Sequence, residues 1–253
     1  SRGLGDVYKR QGVNSGSNVR RMTDGGHLWF DLTPLDGLEL TLGLDYMSSA
    51  HDGRSMAMGD VGLDDLLNKP FKEDMRYKNY GLFAESRYGF DNQGSGNSSL
   101  HAGLRVDRWD SELLIAQQGE REDTLYSGYV RYEYQLDAHQ YYAGFGSAQR
   151  VPDYWEIMKA SADNPAQKAF DLKAETTNQF DIGWIYQGPV EASVSLFYGE
   201  INDYILIDST SNTTVARNID ASLFGGEASL DYAFNDQWST QLTLSCLLYT
   251  SPS

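Results

Sequence analysis

The feature that most constrains this chain is a two-residue period that recurs along nearly all of it. Residues 125–136, LYSGYVRYEYQL, show it plainly: Tyr126, Gly128, Val130, Tyr132, Tyr134 and Leu136 form one set, and Ser127, Tyr129, Arg131, Glu133 and Gln135 the other. Successive side chains of a strand point to opposite faces, so one face here is aromatic and aliphatic while the other carries hydroxyls, charges and amides. Leu38, Leu40, Leu42, Leu44 and Tyr46 alternate in the same way with Glu39, Thr41, Gly43 and Asp45, and Phe180, Ile182, Trp184 and Tyr186 with Gln179, Asp181 and Gly183. The chain is all-β.

The alternating segments number about ten, and their connections alternate in length, as in a transmembrane antiparallel barrel with short periplasmic turns and long extracellular loops. Tight turns fall at Asp36-Gly37, at DNQGSGNSS, at Asp137-Ala138, at Gly188-Pro189 and at Asn235-Asp236-Gln237. Between them lie polar stretches over 48–74, 111–122, 151–174 and 208–214. A soluble sandwich has no reason to sort its loops this way, and it would bury Leu40, Leu42, Val194 and Leu196 against a second sheet.

Composition decides which face is inside. Hydrophobic residues make up 40% of the chain and charged residues 22%, with no apolar run long enough for a membrane helix. Barrel strands average out to polar in this way, and 17 Tyr and 5 Trp suit interfacial girdles. The apolar face of 125–136 is therefore expected to meet lipid, the polar face to line a lumen, and Tyr126 and Tyr134 to sit at the two interfaces. A net charge of −16 excludes nucleic acid as a partner and leaves an acidic surface suited to solubility or to cations.

Both ends read as foreign to the fold. DVYKRQ can be encoded by GATGTGTATAAGAGACAG and CLLYTS by TGTCTCTTATACACATCT, near reverse complements that resemble a transposon-end sequencing adapter. Residues 1–11 and 246–253 are accordingly set apart from a barrel segment over 12–245. Cys246, the single cysteine, then says nothing about redox compartment.

Three stretches carry a family resemblance: VPDYWEIMKA; LKAETTNQFDIGWIYQ with VEASVSLFYGEINDYI; and ARNIDASLFGGEASLDYAFNDQWS. Leu172, Glu175, Ile182 and Gly183 supply an L-x-x-E element ahead of a strand, Phe197 and Tyr198 a Phe-Tyr pair, and Asn218, Gly226 and Glu227 an Asn followed by Gly-Glu. In this order they resemble the barrel of TonB-dependent outer-membrane receptors. GFGSAQRVPDYWEIMKA is most similar to the copper-receptor branch. The resemblance implies a 22-stranded barrel in the outer membrane of a Gram-negative bacterium, with an N-terminal plug and a TonB box. It also implies uptake driven through TonB and its inner-membrane energising complex. The plug, the TonB box and the closing aromatic strand lie outside this stretch, which is not expected to transport alone. The implied function is energised uptake of copper or another metal. A siderophore, haem or cobalamin is the alternative cargo, and a passive porin or a soluble binding module is the reading from another class.

Candidate metal contacts cluster in YMSSAHDGRSMAMGD, where His51, Met56 and Met58, with Met47 nearby, combine imidazole and thioether. Thioether suits Cu(I) and imidazole either copper state. Copper enters here as cargo, and no cofactor is expected. Asp153, Tyr154, Trp155 and Glu156 form an aromatic and acidic group on the 151–174 stretch, although an interfacial belt accounts for Tyr154 and Trp155 more readily. His101, inward beside Arg105 and Asp107, is expected to hydrogen-bond in the lumen. There is no GxSxG, HExxH or P-loop, and His27, His51, His101 and His139 are scattered, so no enzyme is expected.

Overall fold

The computed structural model describes residues 17–55, 63–91, 96–115, 119–209 and 213–250. Ten long strands run through it: β1 (Ser17–Leu35), β2 (Leu38–Ser55), β3 (Lys72–Asp91), β4 (Asn97–Leu113), β5 (Gly119–Leu136), β6 (His139–Arg150), β8 (Glu175–Gln187), β9 (Val190–Asp208), β10 (Val215–Asn235) and β11 (Trp238–Thr250). Each pairs antiparallel with the next, so the sheet is a continuous meander. A short helix α1 (Leu63–Leu67) lies between β2 and β3. Between β6 and β8 come α2 (Tyr154–Ile157) and the two-residue strand β7 (Ala160–Ser161), which pairs in parallel with β10. Residues 246–250 continue β11 along β10 as far as Ser222.

The tight turns at 36–37, 137–138, 188–189 and 235–237 are where the sequence puts them, and the tip of DNQGSGNSS lies outside the described residues. Gly37 closes the first with φ 79, a conformation glycine adopts without penalty, and a side chain there would meet Gly89 O at 2.6 Å. The polar stretches are shorter as loops than expected, because β2 continues to Ser55 and β5 begins at Gly119. Beyond the bilayer both faces of a strand meet water, so the two-residue period fades while the backbone ladder persists. Arg20 still faces Asp52 there, and Ser111 faces Arg121.

The two faces are sorted as the period predicts. Leu42, Val194 and Leu196 are 40%, 41% and 45% exposed, which excludes the soluble sandwich, since no second sheet covers them. Leu82, Leu104, Val130, Phe145 and Ile182 belong to the same outward band, a surface with hydrocarbon as its matching environment. Aromatic residues edge the band at both ends. Tyr46 and Tyr80 lie 5.2 Å apart toward the long loops, with Tyr126 and Tyr198 exposed on the same side. Phe90 and Tyr132 pair at 6.4 Å toward the short turns, where the Trp184 indole N–H donates to His139 Nδ1 at 3.1 Å. Amphipathic rings of this kind settle at the lipid–water boundary with their polar atoms satisfied.

The inward face packs large side chains over glycines. A Cβ on Gly43 would fall 2.2 Å from Phe83 Cζ, one on Gly103 2.4 Å from Tyr129 Cε1, and one on Gly183 2.3 Å from Tyr142 Cζ. Ion pairs fill the spaces between. Arg105 reaches Asp45 and, at 2.7 Å, Asp107, while Arg131 meets Glu133 at 2.8 Å. His101 Nε2 lies 3.1 Å from Ser99 Oγ, in the lumenal hydrogen-bonding role its position suggested.

Buried apolar side chains gather at the long-loop end, beneath residues 151–174. Met75, Tyr77, Leu113, Tyr154 and Ile157 form one cluster, and Ala169, Leu172, Ile205 and Ala216 a second. Full burial of a side chain the size of Met75, Leu113 or Ile157 contributes about 1.5–3 kcal/mol. These clusters dock the 151–174 segment as an arm on the rim of the barrel.

The assignment of faces is tested by placing charge on each. Leu104→Arg, in the middle of the outward band, is expected to cost about 2–4 kcal/mol. Ser195→Arg, inward and opposite Glu227, is expected to cost under about 1 kcal/mol. Urea titration of the lipid-reconstituted barrel measures both, and equal costs would reject the assignment.

Candidate functional site

The site is built by the arm. Pro152 holds Val151 extended as the chain leaves β6, and Asp153 then caps α2. Its carboxylate accepts the Glu156 N–H at 2.9 Å, while the Glu156 carboxylate accepts the Asp153 N–H at 2.7 Å, a reciprocal capping box. Glu156 also receives two guanidinium N–H groups of Arg150 at 2.9 Å each. Arg150 Nε donates to Glu175 Oε2 at 2.9 Å, and the other Glu175 oxygen accepts the Ile205 N–H at 2.6 Å. The start and end of the arm are thus tied through one arginine. Its pKa is raised further above its already high ordinary value, first by the bond to Glu156.

Asn218 closes the far side. Its amide oxygen accepts the Lys173 N–H at 2.9 Å, and its NH2 donates to Asp203 O at 2.6 Å and Lys173 O at 3.2 Å. Asp203 stands in a left-handed conformation, φ 56, where the register of β9 against β10 shifts. Asn218 therefore fastens the arm to a bulge. Leu172, buried beside Ile205 and Ala216, completes that attachment.

Docked in this way, the arm sends Tyr154 down onto β2. The Tyr154 ring stacks on His51 with centroids 4.3 Å apart and planes 14° from parallel, and its hydroxyl donates to Asp74 Oδ2 at 2.8 Å. Tyr77 meets the same imidazole edge-on at 5.9 Å and 77° and donates its hydroxyl to Pro152 O at 3.4 Å. His51 is 7% and Tyr154 4% exposed. Burial, then the charge of Arg21, lowers the His51 pKa below its ordinary 6.5, against the opposing pull of Asp153, Asp52 and Asp74. Burial and then the bond to Asp74 raise that of Tyr154.

Beneath the arm lies a cavity of about 660 Å³, lined among others by Arg21, Met47, His51, Tyr77, Trp109 and Tyr154. Met47, Ser49 and His51 alternate along one face of β2, so the thioether and the imidazole open into the same space. Of the residues the sequence singled out as metal contacts, His51 lies in this wall, while Met56 and Met58 fall outside the described residues. Among the described residues no three His, Cys, Asp or Glu side chains converge on a metal position. Tyr154 is not part of an interfacial belt, because the capping box and Arg150 turn it into the mouth of the barrel, where it is buried. Trp155 stands beside it, 5.2 Å away and nearly perpendicular. Asp153 and Glu156 are committed to the capping box and are not free acids. Arg21 was missed in the sequence. The Asp-x-x-Glu spacing that marks the capping box was available in it.

The described strands thus make a transmembrane β-barrel segment with an arm docked on its long-loop rim. The chain belongs to the TonB-dependent receptors: residues 2–251 match the family described as TonB dependent receptor-like, beta-barrel. The copper transporter OprC superposes with a TM-score of 0.82 at 32% identity over 93% of this chain and 38% of that one. The FrpB iron transporter from Neisseria meningitidis gives 0.70 at 17% identity, covering 92% and 36%. The alcaligin outer-membrane receptor FauA from Bordetella pertussis gives 0.63 at 15%, covering 94% and 40%. The last two share the fold, and the chain spans about two fifths of the OprC and FauA chains. No curated protein sequence matched.

Two outcomes test the arm in the receptor that contains this chain. Glu175→Ala removes the acceptor of the buried Ile205 N–H and one partner of Arg150, at an expected cost of about 1–3 kcal/mol, read as lost hydrogen-exchange protection over 151–174. Acidification acts in the same direction. Because the His51 pKa is lowered on folding, its contribution is fully present above 6.5 and falls as pH drops below that value. Exchange over the arm, corrected for intrinsic rates, should rise between pH 7.5 and 5, and His51→Gln should abolish that dependence.

Proposed function

We propose that this chain forms part of the barrel of an outer-membrane receptor that takes up copper in a Gram-negative bacterium. Its energy comes from TonB and the inner-membrane complex, and membrane lipid surrounds the outward band. The observation that carries the reading is the placing of Met47 and His51 on one inward face of β2, in a cavity at the long-loop mouth and a few residues ahead of Met56 and Met58. Thioether suits Cu(I) and imidazole either copper state, and four residues of strand set the two side chains as successive contacts along the cavity wall. Similarity at 32% identity to a copper transporter supports the same cargo. His51, Met56 and Met58 are the proposed contacts, with copper as passing cargo and not a resident cofactor.

The size of the cavity supports a second reading. At about 660 Å³ it has room for an organic chelate as well as a bare ion, so a siderophore, haem or cobalamin remains the competing cargo class.

The deciding measurement is calorimetric titration of Cu(I) and Cu(II) into the full-length receptor in detergent, beside a Met56→Ala, Met58→Ala double variant. Binding that weakens at least tenfold in the variant is expected. Binding that survives unchanged keeps copper and removes the two methionines from the contacts. A receptor that binds neither ion is not a copper receptor.

A further inference from the structure

His51 is an unusual buried histidine. Neither ring nitrogen has a hydrogen-bond partner among the described residues, although its side chain is nearly enclosed and lines the cavity. A buried imidazole ordinarily spends both nitrogens on neighbours. The acids around it are occupied elsewhere. Asp52 accepts from Arg20 Nε at 3.0 Å, Asp74 from the Tyr154 hydroxyl at 2.8 Å, and Asp153 from the Glu156 N–H at 2.9 Å. What holds the ring is aromatic: Tyr154 covers its face and Tyr77 abuts it nearly at right angles.

That distinction matters because a metal takes imidazole through the in-plane lone pair and not through the face of the ring. A carboxylate or carbonyl partner would fix the ring by using one nitrogen. A stacked phenol fixes it and uses neither. We propose that Tyr154 is a positioning residue for metal capture: with Tyr77 it orients the His51 imidazole so that its nitrogens are offered to the cavity, and metal binding there is linked to docking of the 151–174 arm. The inference rests on the copper reading and adds to it a residue outside the expected ligand set. It also adds a consequence for the arm. If docking improves metal affinity, metal binding stabilises docking by the same factor, since linkage between two equilibria is reciprocal.

The test uses the full-length receptor with Cu(II) as the probe. Residues that orient a ligating histidine typically contribute 10–100-fold in metal affinity, so Tyr154→Ala should weaken Cu(II) binding at least tenfold. Tyr154→Phe, which keeps the stacked ring and loses only the bond to Asp74, should restore most of it. A second route to the same undocking, Glu156→Ala, removes the capping box and the Arg150 contact without touching His51, and should weaken Cu(II) as Tyr154→Ala does. Electron paramagnetic resonance of the bound Cu(II) separates positioning from mere folding. Nitrogen superhyperfine structure should be sharp in the wild type, absent in His51→Ala, broadened in Tyr154→Ala and sharp again in Tyr154→Phe. Cu(II) should also raise exchange protection over 151–174 in the wild type and not in His51→Ala. Wild-type affinity and spectrum in Tyr154→Ala would overturn the positioning role while leaving copper uptake standing. Absence of Cu(II) binding in the wild type would overturn both.

Discussion

An unpaired peptide N–H or C=O has no partner in hydrocarbon, and the membrane-spanning part of this fold follows from that restriction. It makes the antiparallel ladder obligatory through the bilayer, and a continuous meander satisfies it with local connections alone. Once the ladder is fixed, the period of two fixes the faces, and the solvent on each side fixes their chemistry. Leu104 and Val130 can be outward only because lipid is there. Arg105, Asp45 and Asp107 can share one lumenal network only because the opposite face is sealed from it. The inward glycines answer the same geometry, since a ladder of fixed spacing gives Phe83, Tyr129 and Tyr142 room to lie flat only where the facing residue has no side chain.

Above the membrane the restriction lifts, and a different physics takes over. There the chain has water for its loose ends, so order has to come from packing and capping. The arm obtains it by folding two small apolar clusters onto the rim and by routing charge through Arg150, which joins the first turn of α2 to the entry of β8. The rim is the one described region built in the manner of a soluble protein, and it is also where His51, Met47 and the cavity lie. A precise site needs groups fixed by packing, and the lumen below offers mainly ion pairs.

This division explains what the sequence made legible. Strand number, the tight turns and the orientation of 125–136 could be read because a solvent boundary imposes a strict period on each membrane-spanning strand. Strand ends could not, because past the bilayer nothing separates inward from outward, and β2 runs through a stretch whose composition reads as loop. His51 was singled out by residue type alone, and the contacts with Tyr154 and Tyr77 that bury it could not be read from spacing. Tyr154 was misplaced. In sequence, a Tyr-Trp pair beside a strand end suits an interfacial belt as well as a buried contact, and the choice depends on Arg150 meeting Glu175 across 25 residues.

The motif residues and the proposed ligand therefore have separate tasks that meet at one ring. Arg150, Glu156, Glu175 and Asn218 touch no cavity group of the expected ligand set, and their bonds all serve to hold the arm down. His51 and Met47 sit on β2 and owe their direction to the sheet. Tyr154 joins the two systems, carried by the arm and stacked on the strand. A change of cargo could then be made on β2 and its loop without rebuilding the arm, whereas a change in the arm would be felt at His51 whatever the cargo. The arm and the strand that carries His51 are coupled here through a stacking contact of 4.3 Å.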